Sequence, residues 1–300
     1  MKVTTLSKRA FERLEPLTLS RHVINTESCI LKFTDKGKPK VIKKLFNQDG
    51  PMFGNKLYTL EMLSTYSKNL PKSFIIPESL ICVSGTIRGF SLPYMEGENL
   101  NTILKDDKVP LEKKKYYLSK IGEILGQMDA IRKHTDLQDL FLCDLHSSNF
   151  IVDEDNQELG VVDLDSCKIA NNKPSVSFYL NDWALLNSVH GKYKVNKEQD
   201  GSGYIIADKN SDLYCYAMIL LSFLYGEYNI NILKVEDFYD YLNYLDYIGV
   251  NGNLLECFMN LVSNKDNSNP GQFIETITRE QECRAKAKVY EKVKKTHSHF

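Results

Sequence analysis

Hydrophobic and polar positions change period several times along the chain, and each change marks an element. Residues 22–33, HVINTESCILKF, and 40–46, KVIKKLF, are rich in β-formers. Between them Thr34-Asp35-Lys36-Gly37-Lys38 is turn chemistry, so the pair predicts a hairpin. Residues 55–66, NKLYTLEMLSTY, place Leu57, Leu60, Met62, Leu63 and Tyr66 at helical spacings and predict an amphipathic helix. Strand-like composition returns at 75–83 and 89–93, and a short helix is expected at NLNTIL. Residues 111–132 carry Tyr117, Leu118, Ile121, Ile124, Leu125, Met128 and Ile131, which predict a long helix with one buried side. Residues 211–226, SDLYCYAMILLSFLYG, predict a strongly apolar helix, with Ser211-Asp212 as its start signal. Further helices are expected at 235–245, at 254–262 and from 275 onwards. Residues 1–20 predict no more than a helix or an arm.

One stretch departs from simple periodicity. Residues 141–168 read FLCDLHSSNFIVDEDNQELGVVDLDSCK. Asp144, His146 and Asn149 share a short loop. Two apolar runs follow, Phe150-Ile151-Val152 and Gly160-Val161-Val162, separated by polar turn residues. They predict a hairpin whose open end gathers Asp144, Asn149 and Asp163. Two carboxylates and an amide oxygen are hard ligands suited to Mg²⁺, and a carboxylate can take the proton of a hydroxyl. Asp-x-x-x-x-Asn alone also fits a polar surface loop beside two ordinary strands. After Asp163 the chain is expected to be irregular to about residue 210, with a turn at Asn171, Asn172 and Pro174 and a loop over 199–203. A short packed helix is expected around Trp183 in FYLNDWALL.

Composition narrows the class. Three hundred residues suit one two-lobed unit or two modest domains, and a 42% hydrophobic share supports a sizeable core. A formal net charge of −1 implies neither nucleic acid nor an acidic substrate. The basic cluster Lys292, Lys294 and Lys295 reads as a solvated helix end. No apolar run reaches membrane-span length, and Met1-Lys2-Val3 does not open a signal peptide. Seven scattered cysteines without a C-x-x-C favour reduced thiols in a cytoplasmic protein. Cys143 and Cys167 flank the candidate loop and are read as packing residues.

Leu142-Cys143-Asp144-Leu145-His146-Ser147-Ser148-Asn149, followed by Asp163-Leu164-Asp165, resembles the protein-kinase signature H-R-D-L-x-x-x-N followed by D-F-G. The Asp, Leu and Asn are in register. The His and Arg before the Asp are absent, and Leu-Asp stands for Phe-Gly. Val41-Ile42-Lys43 resembles the end of the kinase V-A-I-K strand, and Leu92-Pro93-Tyr94-Met95-Glu96-Gly97 resembles the kinase hinge. The helix bearing Asp212 resembles the central large-lobe helix, whose Asp bonds the backbone of the catalytic loop. Residues 23–30 stand where a Gly-rich loop would be and contain no glycine.

The resemblance implies an α+β, bilobal kinase-like fold. Residues 1–92 would form a small β-rich lobe, 93–97 the hinge, 98–274 a mostly helical lobe and 275–300 a helical tail. It implies ATP and Mg²⁺ as cofactors. Asp144 would orient the acceptor hydroxyl and take its proton, and Asn149 and Asp163 would hold the metal. Lys43, positioned by Glu61, would hold the phosphates. Pro93 and Met95 would face adenine between the apolar walls Ile30, Ile151 and Val162, with Leu92 as gatekeeper. With Asp163-Leu164-Asp165-Ser166 in place of D-F-G, the chain resembles bacterial and phage serine/threonine kinase-like proteins, so the partner implied is a protein hydroxyl, with no nucleic acid and no membrane. His146 is similar to aminoglycoside and choline kinases, which leaves a small-molecule acceptor as the second alternative. A nucleotide-binding pseudokinase is the third.

Overall fold

Strand alternation in the first third of the chain builds a five-stranded mixed sheet. The structure is a computed structural model that describes residues 1–17, 28–46, 51–172, 195–197, 203–226, 235–263, 265 and 268–284. The strands are β1 (Lys2–Leu6), β2 (Ser28–Asp35), β3 (Lys38–Leu45), β4 (Ser79–Val83) and β5 (Thr86–Pro93), in the order β1-β4-β5-β3-β2. β1 runs parallel to β4, and every other pair is antiparallel. The β2–β3 hairpin turns at Lys36 and Gly37, with φ of 49° and 78°. Positive φ at both central residues is the turn whose twist suits a two-residue hairpin.

Side chains on β3 alternate as the pleat requires. Val41 and Leu45 pack with Leu60 on one face. Ile42 packs with Phe11 on the other. Phe11 belongs to α1 (Lys8–Glu12), and Leu60 to α2 (Pro51–Thr65). β1 lies in the stretch expected to be only a helix or an arm. Its hydrophobic signal is weak because both faces are largely polar or exposed, with Val3 53% exposed. Its partner lies far along the chain, where Thr4 Oγ1 donates to Ser79 Oγ at 3.0 Å.

The strand expected at 75–83 divides in two. Ser79–Val83 joins the sheet, whereas Ser73 and Ile75 bond to a second, three-stranded sheet. That sheet contains β6 (Glu98–Asn99), β7 (Phe150–Asp153) and β8 (Glu158–Val161). The Ile75 N–H donates to the Val161 carbonyl at 2.9 Å, and the Val161 N–H to the Ser73 carbonyl at 2.7 Å. β7–β8 is the hairpin the sequence predicts.

The remainder is largely helical: α3 (Leu100–Lys105), α4 (Leu111–His134), α5 (Lys209–Tyr225), α6 (Val235–Tyr247) and α7 (Gly252–Val262). α5 is buried over nearly its whole surface, with Tyr214, Tyr216, Leu220 and Leu224 at its centre. Its cap is Asp208, not the expected Ser211. The Asp208 carboxylate accepts from the backbone N–H groups of Asn210 and Ser211, and the Ser211 side chain answers as the third residue of a capping box. In the stretch expected to be irregular, β9 (Val195–Lys197) pairs antiparallel with β10 (Gly203–Ile205).

The tail expected from 275 is partly core. Ile274 and Ile277 join the main hydrophobic cluster, and Lys114 Nζ meets Glu282 Oε1 at 2.8 Å with both side chains buried. The glycine-free stretch over 23–27, the Trp183 helix and the basic tail end lie outside the described residues. Among the described residues no helix is long and apolar enough to cross a membrane.

Candidate functional site

The loop before β7 is held from beneath by α5. Leu142 and Cys143 donate their backbone N–H groups to the Asp212 carboxylate, at 2.9 and 3.1 Å. This is the bond expected of Asp212. Burial pushes its pKa up to about 6, while the two N–H donors pull the other way. Cys143 has φ of 63°, and the Asp144 N–H reaches back to the Leu142 carbonyl at 2.7 Å. That is a γ-turn with a left-handed central residue, a rare and strained conformation. It presents Asp144 to a small cleft that is also lined by Asn149, Val162 and Asp163.

Asn149 closes the loop. Its side-chain Nδ2 donates to the Asp144 carbonyl at 2.8 Å and lies 3.5 Å from Asp144 Oδ2. None of the described residues donates to its amide oxygen, which remains an available hard ligand. His146 Nε2 stands 3.7 Å from Asp144 Oδ1. Burial lowers the His146 pKa below its usual value, with Asp144 opposing, so the ring is neutral at neutral pH.

Asp163 follows β8 in the left-handed region, φ 63°, which a short polar side chain tolerates. Its carboxylate pairs with Lys43 of β3, 120 residues away. Lys43 also donates to Asp165 Oδ1 at 2.7 Å. The other oxygen of Asp165 accepts from Lys56 Nζ of α2 at 3.0 Å. Asp163 is 32% exposed and borders the cleft, whereas Asp165 is 0% exposed. Burial alone would lower the Lys43 pKa, but Asp165 and Asp163 together raise it. Burial pushes Asp163 up to about 6 against the pull of Lys43. Asp165 also suffers burial, but Lys43 and Lys56 hold it well below the usual carboxylate range. The neighbouring Lys44 lies on the opposite face of the sheet, over the Phe11 ring at 5.7 Å.

Glu61 does not pair with Lys43. It is exposed on α2, and the partners of Lys43 are Asp163 and Asp165. The reason is helical geometry: Lys56 faces the turn, and Glu61, five residues on, is rotated by about 140°. Sequence reasoning missed Lys56 and the role of Asp165. Asp165 was visible as a departure from Phe-Gly, but a pair spanning 109 residues has no local signal.

The other expected residues fall as follows. Ile30 is half-buried and pairs in register with Lys43, so both share one face of the sheet. Leu92 is buried opposite Val41, and Pro93 ends β5. Met95 Sδ lies against Gly160, where only a missing Cβ leaves it room. Gly160 pairs with Ile151, which puts Met95 and Ile151 on the same face of the hairpin. The backbone N–H and carbonyl of Met95 bond to none of the described residues. Cys143 and Cys167 are buried, and burial raises both thiols, in keeping with packing roles. Among the described residues no group of three or more His, Cys, Asp or Glu side chains is placed to hold a metal.

No protein-family model matches the chain, and no curated protein matches it.

Proposed function

We propose that the protein is an ATP- and Mg²⁺-dependent phosphotransferase with a bilobal, protein-kinase-like fold, acting on a protein hydroxyl. The observation that carries this reading is the meeting of Lys43 with Asp163 beside a loop bearing Asp144 and Asn149. A lysine, an αL aspartate, a second aspartate and an asparagine converge from three separate parts of the chain. The Asp212 anchor beneath that loop supports the same reading.

Bound nucleotide with Mg²⁺ would supply the γ-phosphoryl group and neutralise its charge. Asn149 and Asp163 would hold the metal, and Lys43 the phosphates. The free N–H and carbonyl of Met95, with the Pro93 carbonyl, would face adenine. Ile30, Ile151 and Val162 would wall it. Asp144 would accept the proton of the acceptor hydroxyl. The hydroxyl oxygen then bonds to the γ-phosphorus as the bond to the bridging oxygen breaks, and ADP leaves. Positioning and electrostatics would provide most of the acceleration.

A second reading, a small hydroxyl compound as acceptor, is favoured by one observation. His146 stands beside Asp144, where serine/threonine kinases usually carry a lysine. The test is incubation with γ-labelled ATP and Mg²⁺, wild type beside Asp144→Ala, following label on the protein and on a generic protein acceptor. Label lost in the variant is the expected result. Nucleotide binding without protein label would shift the reading to a small acceptor or a pseudokinase, and a screen of hydroxyl compounds would separate those. Full transfer by Asp144→Ala would overturn the role of Asp144.

A further inference from the structure

We infer that Asp165 is the positioning residue for Lys43, and that α2 is coupled to the site through Lys56 and not through Glu61. The inference rests on the phosphotransferase reading for its functional meaning, but its geometry stands independently. Asp165 is fully buried and bridges two lysines, Lys43 Nζ at 2.7 Å and Lys56 Nζ at 3.0 Å. A buried carboxylate is retained at modest cost only when paired on both oxygens, and this one is. Lys56 and Lys43 come from different elements, so the carboxylate ties helix to strand at the point where the chain leaves β8.

The two aspartates divide the work by exposure. Asp163 borders the cleft and is available to a ligand, whereas Asp165 faces inward, away from it. With Asp163 engaged by a cation, Lys43 would keep the Asp165 carboxylate that holds its Nζ in place. The same helix face makes a second attachment. Thr59 Oγ1, three residues beyond Lys56, accepts from Asn172 Nδ2 at 2.6 Å. Asn172 in turn donates to the Cys167 carbonyl and accepts the Ile169 N–H, at 2.7 and 2.9 Å. α2 therefore grips the segment after Asp163 at two points one turn apart, and a shift of α2 is felt first at Asp165. Glu61 lies off this face and takes no part.

The test uses the full chain and compares Asp165→Asn, Lys56→Met, the double variant and Glu61→Gln. Titration calorimetry with Mg²⁺–ATP reads nucleotide affinity, and steady-state kinetics read KM and kcat. Asp165→Asn should weaken nucleotide binding about tenfold and act on KM for ATP more than on kcat. Mere loss of folded protein would lower kcat and leave KM unchanged. Lys56→Met should weaken binding by roughly threefold, and the double variant should be no worse than Asp165→Asn. A larger loss from Glu61→Gln than from Asp165→Asn, or strict additivity of the Lys56 and Asp165 changes, would overturn the inference. If Asp165→Asn does not fold, Lys56→Met against Glu61→Gln decides the same point. If the wild type binds no nucleotide, the functional reading fails, and the Lys56–Asp165 cycle in urea unfolding still decides whether the bridge exists.

Discussion

Asp212 shows how much one buried carboxylate can carry. Its ordinary value of 3.8 is pushed up to about 6 by burial, and two backbone donors only partly offset this. An acid raised in the folded state holds a proton there that the unfolded chain has already lost. The stability this contributes is fully present below about pH 4 and is lost as the pH rises through about 6. Urea unfolding of wild type and Asp212→Asn should therefore diverge with pH. The wild type should lose roughly 3 kcal/mol relative to the variant between pH 4 and pH 7. A pH-independent difference would mean that Asp212 titrates as an ordinary carboxylate. The variant should also carry a constant deficit of about 1–3 kcal/mol, because one of the Leu142 and Cys143 N–H groups loses its acceptor.

At the scale of elements, α5 matters because its first turn delivers Asp212 to the loop. The helix starts where Asp208 caps it and stops at Gly226, whose φ of 79° suits glycine. Asp208→Ala should cost about 1 kcal/mol in thermal or urea unfolding, more than Ser211→Ala. The reverse order would make Ser211 the true cap. α2 is the other decisive element. Its apolar side, with Leu60 and Leu63 buried, seats it, while Lys56 and Thr59 reach the segment after Asp163.

For the whole molecule, the described part of the tail past 275 is structural. Lys114 lies on the buried side of α4, in its first turn, and meets Glu282 where neither side chain reaches solvent. Glu282 Oε2 also accepts from Arg279 Nη1 at 2.6 Å, so losing Lys114 removes the cation from one of its two buried oxygens. Lys114→Met should lower unfolding free energy by roughly 1–3 kcal/mol in chemical denaturation, since Arg279 still holds the other oxygen. A loss below about 0.5 kcal/mol, the size typical of a surface change, would show the pair to be solvated.

Local patterns were enough to locate the hairpins, the long helices and the loop with Asp144 and Asn149. Turn chemistry and period are properties of neighbouring residues, so they can be seen without the fold. Strand alternation also separates Lys43 from Lys44, but it does not say which of the two faces meets Asp163; packing decides that. Other features depended on partners distant in the chain. β1 is too short and too polar to announce itself and exists through its pairing with β4. Asp208 took the cap from Ser211 because the chain enters α5 one turn earlier than its apolar run suggests. Glu61 and Lys56 are both charged residues on one amphipathic helix, and sequence offers nothing to rank them. The rotation of α2 against the turn at Asp163 ranks them, since a buried carboxylate at Asp165 needs a second cation and Lys56 is the one that meets it among the described residues. The chain by itself determined the hairpins, the long helices and the position of the loop with Asp144 and Asn149, because those follow from local period and turn propensity. Tertiary structure alone decided which charges meet, because ion pairing depends on how distant elements are oriented when they pack.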